Sequence, residues 1–162
     1  MNASNLETRI ATLEGEVRDL RSQHDIRATL SRYAIGVDDK RPEVLRAIFT
    51  ADASLRIPEW NIAVQGIQDV MGFYDYYWGR FDFPRRYYAN EEILVEGDQG
   101  TAFMYWHVTQ ERNAKSVLGW GTYEWGFRRE SGQWRIASVV INLRAMTTLD
   151  AGWAGSNKFT DA

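Results

Sequence analysis

The sequence predicts an α+β domain, helices first and a long antiparallel meander after them. Two observations predict it. Apolar residues recur at helical spacing through most of the first 80 residues, and from Arg86 onward long apolar runs alternate with short turn signals. A third observation bears on shape: Gly119, Gly121 and Gly126 lie inside a strand-like run, where glycine relieves crowding at bends of a strongly curved sheet.

Taken in order, Leu6, Ile10, Leu13, Val17 and Leu20 recur at spacings of 4, 3, 4 and 3, with Glu7, Glu14, Glu16, Arg18 and Asp19 on the other faces. This heptad stripe suits a helix packed on its own domain or one that meets another subunit. The apolar spacing runs on through Ile26, Leu30 and Tyr33, so one long helix, or two abutting ones, ends near Gly36. Residues 1–22 form a helical extension. A turn at Asp38-Asp39-Lys40 leads to a helix opening at Pro42, where proline suits a first turn, and closing near Phe49. Ala53 to Ile57 reads as a strand stopped by Pro58, and Ile67 to Trp78 as a third helix. Two strand pairs follow, Arg86–Glu96 with Thr101–Arg112 and Lys115–Arg129 with Trp134–Thr147. They are joined by Gly97-Asp98-Gln99-Gly100 and Glu130-Ser131-Gly132-Gln133. The stretch from Leu149, residues 149–162, is an irregular tail that covers a pocket or reaches a neighbouring subunit. No repeat or second domain is visible, and the 162 residues read as one domain.

Composition narrows the function. A net charge of −3 gives no electrostatic reason to expect nucleic acid or an anionic membrane. The absence of cysteine excludes disulfides and thiolate chemistry. The N-terminal residues lack the continuous apolar run of a signal peptide, and no stretch approaches a membrane span, so the default expectation is a cytoplasmic protein. Seven Trp, eight Tyr and seven Phe are an excess that suits a ligand pocket or a subunit interface. Phosphate-loop, dinucleotide-fold, serine-hydrolase and HExxH motifs are all missing, and the chain has two histidines. The expectation is cofactor-free acid–base chemistry with no metal.

Tyr33 near the end of a helix, Asp38 five residues on, a second helix from Pro42 and then a strand resemble the SnoaL-like branch of the nuclear transport factor 2-like superfamily. That resemblance covers roughly residues 6–147. It implies a curved sheet wrapped over the N-terminal helices as a cone with a deep pocket. In SnoaL-like dehydratases a Tyr and an Asp at this separation point into the cone. Asp38 would then be a general base or acid, and Tyr33 a hydrogen-bond donor to a leaving hydroxyl or developing oxyanion. Without the resemblance, Asp38 reads as a turn residue and Tyr33 as a core aromatic.

These dehydratases carry a catalytic His at the start of the first long strand, where this chain has Arg86. Arginine cannot act as a base, but it can hold a phenolate or stabilise developing negative charge. His107 is the candidate replacement. It shares a strand face with Tyr105 and Thr109, and the family alignment makes that face the concave one. Otherwise it is a structural strand residue. Trp60, Tyr88, Asn90, Tyr105, Trp120 and Glu124 complete the expected substrate-binding set, with Glu124 requiring a partner such as Arg86 or His107. Asn142 and Arg144 are weaker candidates.

The resemblance thus implies a cofactor-independent lyase or dehydratase acting on a bulky aromatic or polycyclic molecule, with loss of water or formaldehyde from a phenolic, lignin-type compound as one form. A polyketide-type cyclase or isomerase and a non-catalytic binding or assembly module are the alternatives. Relatives of this type form trimers, so a homo-oligomer is expected, a trimer before a dimer.

Overall fold

The computed structural model describes residues 3–155 and residue 159. Helix α1 (Ala3–Asp38) is one unbroken rod that passes Gly36 and stops at Asp38. Helix α2 (Pro42–Ile48) starts on its proline and leads directly into β1 (Phe49–Ile57). A 3-10 turn (Pro58–Trp60) and a short strand β2 (Ile62–Gln65), which the sequence does not signal, precede α3 (Ile67–Arg80). The meander is β3 (Asp82–Glu96), β4 (Gln99–Arg112), β5 (Lys115–Glu130) and β6 (Gln133–Thr148).

All six strands form one sheet in the order β2-β1-β6-β5-β4-β3. The β1–β6 pair is parallel and every other pair antiparallel, so the sheet is mostly antiparallel, as expected, with one parallel pair that the sequence does not signal. Two of the hairpins turn through consecutive residues with positive φ, Asn113-Ala114 and Ser131-Gly132, the geometry that matches the twist of the flanking strands.

The helices lie on one face of the sheet, and the core fills the space between. Thr29 on α1 donates to the Trp134 carbonyl on β6 at 3.0 Å. The Trp78 indole on α3 donates to the Val37 carbonyl at 2.9 Å, fixing the C-terminal end of α1 against α3. On β4 the inward residues are Ala102, Met104, Trp106, Val108 and Gln110, all buried. Phe103, Tyr105, His107 and Thr109 alternate onto the outer face. That corrects the expected facing of this strand.

Two irregularities shape β3. Its pairing with β4 shifts register after Asp82 and again after Ala89, at the positive-φ residues Phe83 and Asn90. Between the bulges Pro84, Arg86 and Tyr88 turn inward; beyond Asn90 the parity changes and Ile93 is the buried residue. In the described part of the tail, Trp153 meets Trp120 edge-on, at 5.7 Å, on the outer face. Residues 156–158 and 160–162 of the expected tail lie outside the described residues.

Candidate active site

Arg86 organises the inner end of the sheet. Its Nε donates to Asp38 Oδ1 at 2.6 Å, and its backbone N–H donates to Oδ2 at 2.8 Å, so both carboxylate oxygens are engaged. The two side chains are 6% and 10% exposed, in contrast with the open ion pairs elsewhere on the chain. Nη1 reaches the Tyr123 hydroxyl at 3.3 Å and Nη2 that of Tyr77 at 3.4 Å. The guanidinium carbon lies 5.7 Å from the centre of the Tyr33 ring and 5.8 Å from that of Tyr77. A buried guanidinium is tolerable here because a carboxylate and aromatic faces replace its water.

Around this pair the phenols form short chains. Tyr74 donates to the Tyr33 hydroxyl at 3.1 Å, and Tyr77 donates to Gln110 Oε1 at 2.6 Å. Burial pushes the phenols of Tyr33, Tyr74 and Tyr88 upward and takes Tyr77 to about 12. They are therefore neutral donors at working pH rather than bases.

Tyr33, Val37, Trp60, Phe73, Tyr74, Tyr77, Arg86, Trp106, Tyr123 and Met146 are among the walls of a narrow cleft. Its empty volume is about 450 Å³, the space at its mouth included. The lining is apolar apart from Arg86 and the phenol tips. The Trp106 indole N–H in this wall has no protein partner, and the same holds for the Tyr88 hydroxyl and the Trp125 indole N–H, whose rings pack on Tyr123. Among the described residues, no three His, Cys, Asp or Glu side chains gather as a metal site.

The structure brings together Tyr33, Asp38, Arg86 and Trp60, with Tyr88 stacked edge-on against Tyr123 at 5.8 Å. Asp38 reaches the cleft through Arg86 and is not itself a wall. Five expected residues lie elsewhere. His107 is exposed on the outer face, so its imidazole has no path to Asp38. Tyr105 and Trp120 share that face. Glu124 is also there, exposed, and takes a hydrogen bond from Asn142 at 3.0 Å rather than from Arg86 or His107. Asn90 is an exposed bulge residue. Of the two weaker candidates, Asn142 serves Glu124 and Thr122, and Arg144 is exposed.

The residues that sequence reasoning missed are Tyr74, Tyr77, Trp106, Gln110 and Tyr123. Tyr74 and Tyr77 are three apart on α3, a same-face spacing that was legible. On β4, the strictly apolar Ala102-Met104-Trp106-Val108 set against a face holding Thr101, His107 and Thr109 marks the buried side.

Residues 18–140 match the model of the SnoaL-like domain family, and the chain belongs to that family. No curated protein matches the chain in sequence. Among solved structures, a type 2 hexachlorocyclohexane dehydrochlorinase (LinA) is similar at 20% identity and a TM-score of 0.75, covering 80% of this chain and 90% of its own. LinA-type3 from Novosphingobium barchaimii LL02 is similar at 20% identity and 0.74, covering 80% and 91%. A candidate scytalone dehydratase from Novosphingobium aromaticivorans DSM 12444 follows at 17% and 0.72, covering 79% and 87%. At these identities the likeness is one of fold: the nuclear transport factor 2-like cone. No helix of the described residues is long and apolar enough to cross a membrane.

Proposed function

We propose that the protein is a cofactor-independent lyase acting on a bulky aromatic molecule, and that its substrate is a phenolic compound which loses water or formaldehyde. The observation that carries this reading is Arg86, a nearly inaccessible cation in the wall of an apolar, aromatic cleft, surrounded by neutral phenols. The dehydrochlorinase and dehydratase among the structural neighbours are consistent with elimination chemistry.

Guanidinium has five N–H donors. Three are directed at Asp38, Tyr123 and Tyr77, which leaves donors for a ligand oxygen. Binding of a phenol against Arg86 draws the Asp38 carboxylate from behind the guanidinium to the wall of the cleft, where an oxygen with an unused lone pair takes the phenol's proton. The phenolate electron pair moves through the ring and expels a benzylic hydroxyl. Tyr33, which accepts from Tyr74, supplies the proton that lets this group leave as water. The Tyr33 phenolate left by this step takes a neighbouring C–H proton, or a hydroxymethyl O–H proton as formaldehyde departs, which restores the aromatic ring as a phenolate and re-protonates Tyr33. Asp38 then returns its proton to the phenolate, so the product leaves as a phenol.

The test is turnover of phenolic benzylic alcohols by the full chain, followed by the absorbance of the conjugated product and by mass spectrometry. Blocking the phenol as its methyl ether should abolish the reaction. Binding of these compounds without turnover would instead support a carrier, a reading that the engaged Asp38 carboxylate favours.

Trp106 offers a separate check on the ligand's chemistry. An indole N–H only donates, so a ligand placing a hydroxyl or ether oxygen there satisfies a group the protein leaves unpaired. Trp106→Phe keeps an aromatic wall and is expected to weaken an oxygenated diaryl ligand about tenfold, by roughly 1.4 kcal/mol. Its deoxygenated counterpart should bind unchanged by calorimetry. Equal losses for both would assign Trp106 to packing alone.

A further inference from the structure

The N-terminal half of α1 stands away from the body. From Ser4 to Arg21 every residue except the half-buried Gly15 is exposed, and the first buried side chain of the helix is Ser22. Along this arm Leu6, Ile10, Leu13, Val17 and Leu20 are 44–65% exposed, a continuous apolar stripe that no described part of the body covers. The stripe is not a misplaced continuation of the core face. The body-facing residues of the same helix are Ile26, Leu30, Tyr33 and Val37, again at spacings of 4, 3 and 4. Ile26 follows Leu20 by six positions, which at about 100° per residue sets the two stripes roughly 120° apart around the rod. One helix therefore carries two apolar faces aimed in different directions, and the body uses one of them.

We infer that the arm pairs with the arm of a second copy of this chain as a parallel, in-register, two-stranded coiled coil. Three features of the arm select that partner. Its period of 3.5 residues is that of a left-handed supercoil. Written as a heptad, Ile10 and Val17 occupy position a, and Leu6, Leu13 and Leu20 occupy position d; β-branched residues at a with leucine at d favour two parallel strands over three. The flanking charges agree. Arg9 and Glu16 fall at g, Glu14 and Arg21 at e. In a parallel in-register pair each g residue faces the e residue five further along the other helix. Arg9 then meets Glu14, and Glu16 meets Arg21, on both sides of the seam. An antiparallel pair centred on Gly15 would oppose Glu14 to Glu14 and Glu16 to Glu16, and one centred between Ala11 and Thr12 would oppose Glu7 to Glu14. The contact spans fewer than three heptads, so the dimer should dissociate on dilution.

The test is sedimentation of the full chain at micromolar concentration, where a mass twice the 18.7 kDa of the chain is expected. Leu13→Glu should give the monomer while the melting of the body stays as it was, because Leu13 does not pack on it. Arg9→Glu should weaken the dimer about fivefold, and Arg9→Glu with Glu14→Arg should restore it. Orientation is read by cross-linking, since the chain has no cysteine of its own. Under oxidation Ile10→Cys and Val17→Cys should each form a disulfide with its own kind. A monomeric wild type, a trimer, a dimer that survives Leu13→Glu, or preferential linking of Ile10→Cys to Val17→Cys would each overturn the inference. The third of these would move the contact to the aromatic outer face of the sheet.

Discussion

Asp38→Asn should lower the free energy of unfolding by about 3–5 kcal/mol, because it leaves the buried Arg86 guanidinium without its counter-charge. That is a large share of the roughly 5–15 kcal/mol that holds a domain of this kind folded. Turnover of a phenolic substrate should fall on the order of 10²-fold or more in the fraction that remains folded, since a carboxamide cannot take the proton. The loss of stability is a property of the pair. Asp38→Leu combined with Arg86→Met, which removes both charges, should recover most of it, and the cycle of single and double variants measures the coupling in urea unfolding. A stable, fully active Asp38→Asn protein would remove this pair from both the fold and the mechanism.

Gly121→Ala should be the most damaging small change in the sheet. A methyl at this position would overlap the Asn142 carbonyl oxygen of the neighbouring strand and stand 3.1 Å from the Trp106 ring. Gly121 sits where the pairing of β5 with β6 shifts register, so neither strand can yield without giving up ladder hydrogen bonds. The expected cost is about 3 kcal/mol, the upper end of ordinary overpacking, or roughly 6–12 °C in melting temperature for a chain of this length. Trp106 and Tyr123 flank the site, so ligand affinity should fall together with stability. A melting temperature within a degree of wild type would mean that the bulge relaxes freely.

The order of the helices, the two signalled hairpins and the glycine-marked curvature were legible, because each rests on local periodicity or turn chemistry. Tyr33 and Asp38 were singled out by the resemblance; their residue types and positions alone read as a core aromatic and a turn residue. What failed was facing. Aromatics occupy both sides of β4 and β5, and on β4 the covered face is distinguished only by the strictly apolar set Ala102, Met104, Trp106 and Val108. His107, Tyr105, Trp120 and Glu124 were assigned inward together and are all outside. Asn90 failed for a different reason. A positive-φ bulge reverses the parity of a strand, and nothing in the residues around Asn90 announces it. The parallel pairing of β1 with β6 is a tertiary contact between distant segments, beyond the reach of any local signal.

That parallel pair also sets an order of events in folding. Ser54 lies beside Ser138, more than half the chain away, whereas strands β3 to β6 are joined in sequence by tight hairpins. Loops of that size close slowly, so the meander should form ahead of the docking of β1, and protection from hydrogen exchange in β4 and β5 should precede that in β1. Until then Met104, Trp106, Tyr123 and Trp125 would face water as one broad apolar sheet. The same surface that later walls the cleft is thus the hazard of the half-folded chain, and refolding yield should fall as protein concentration rises.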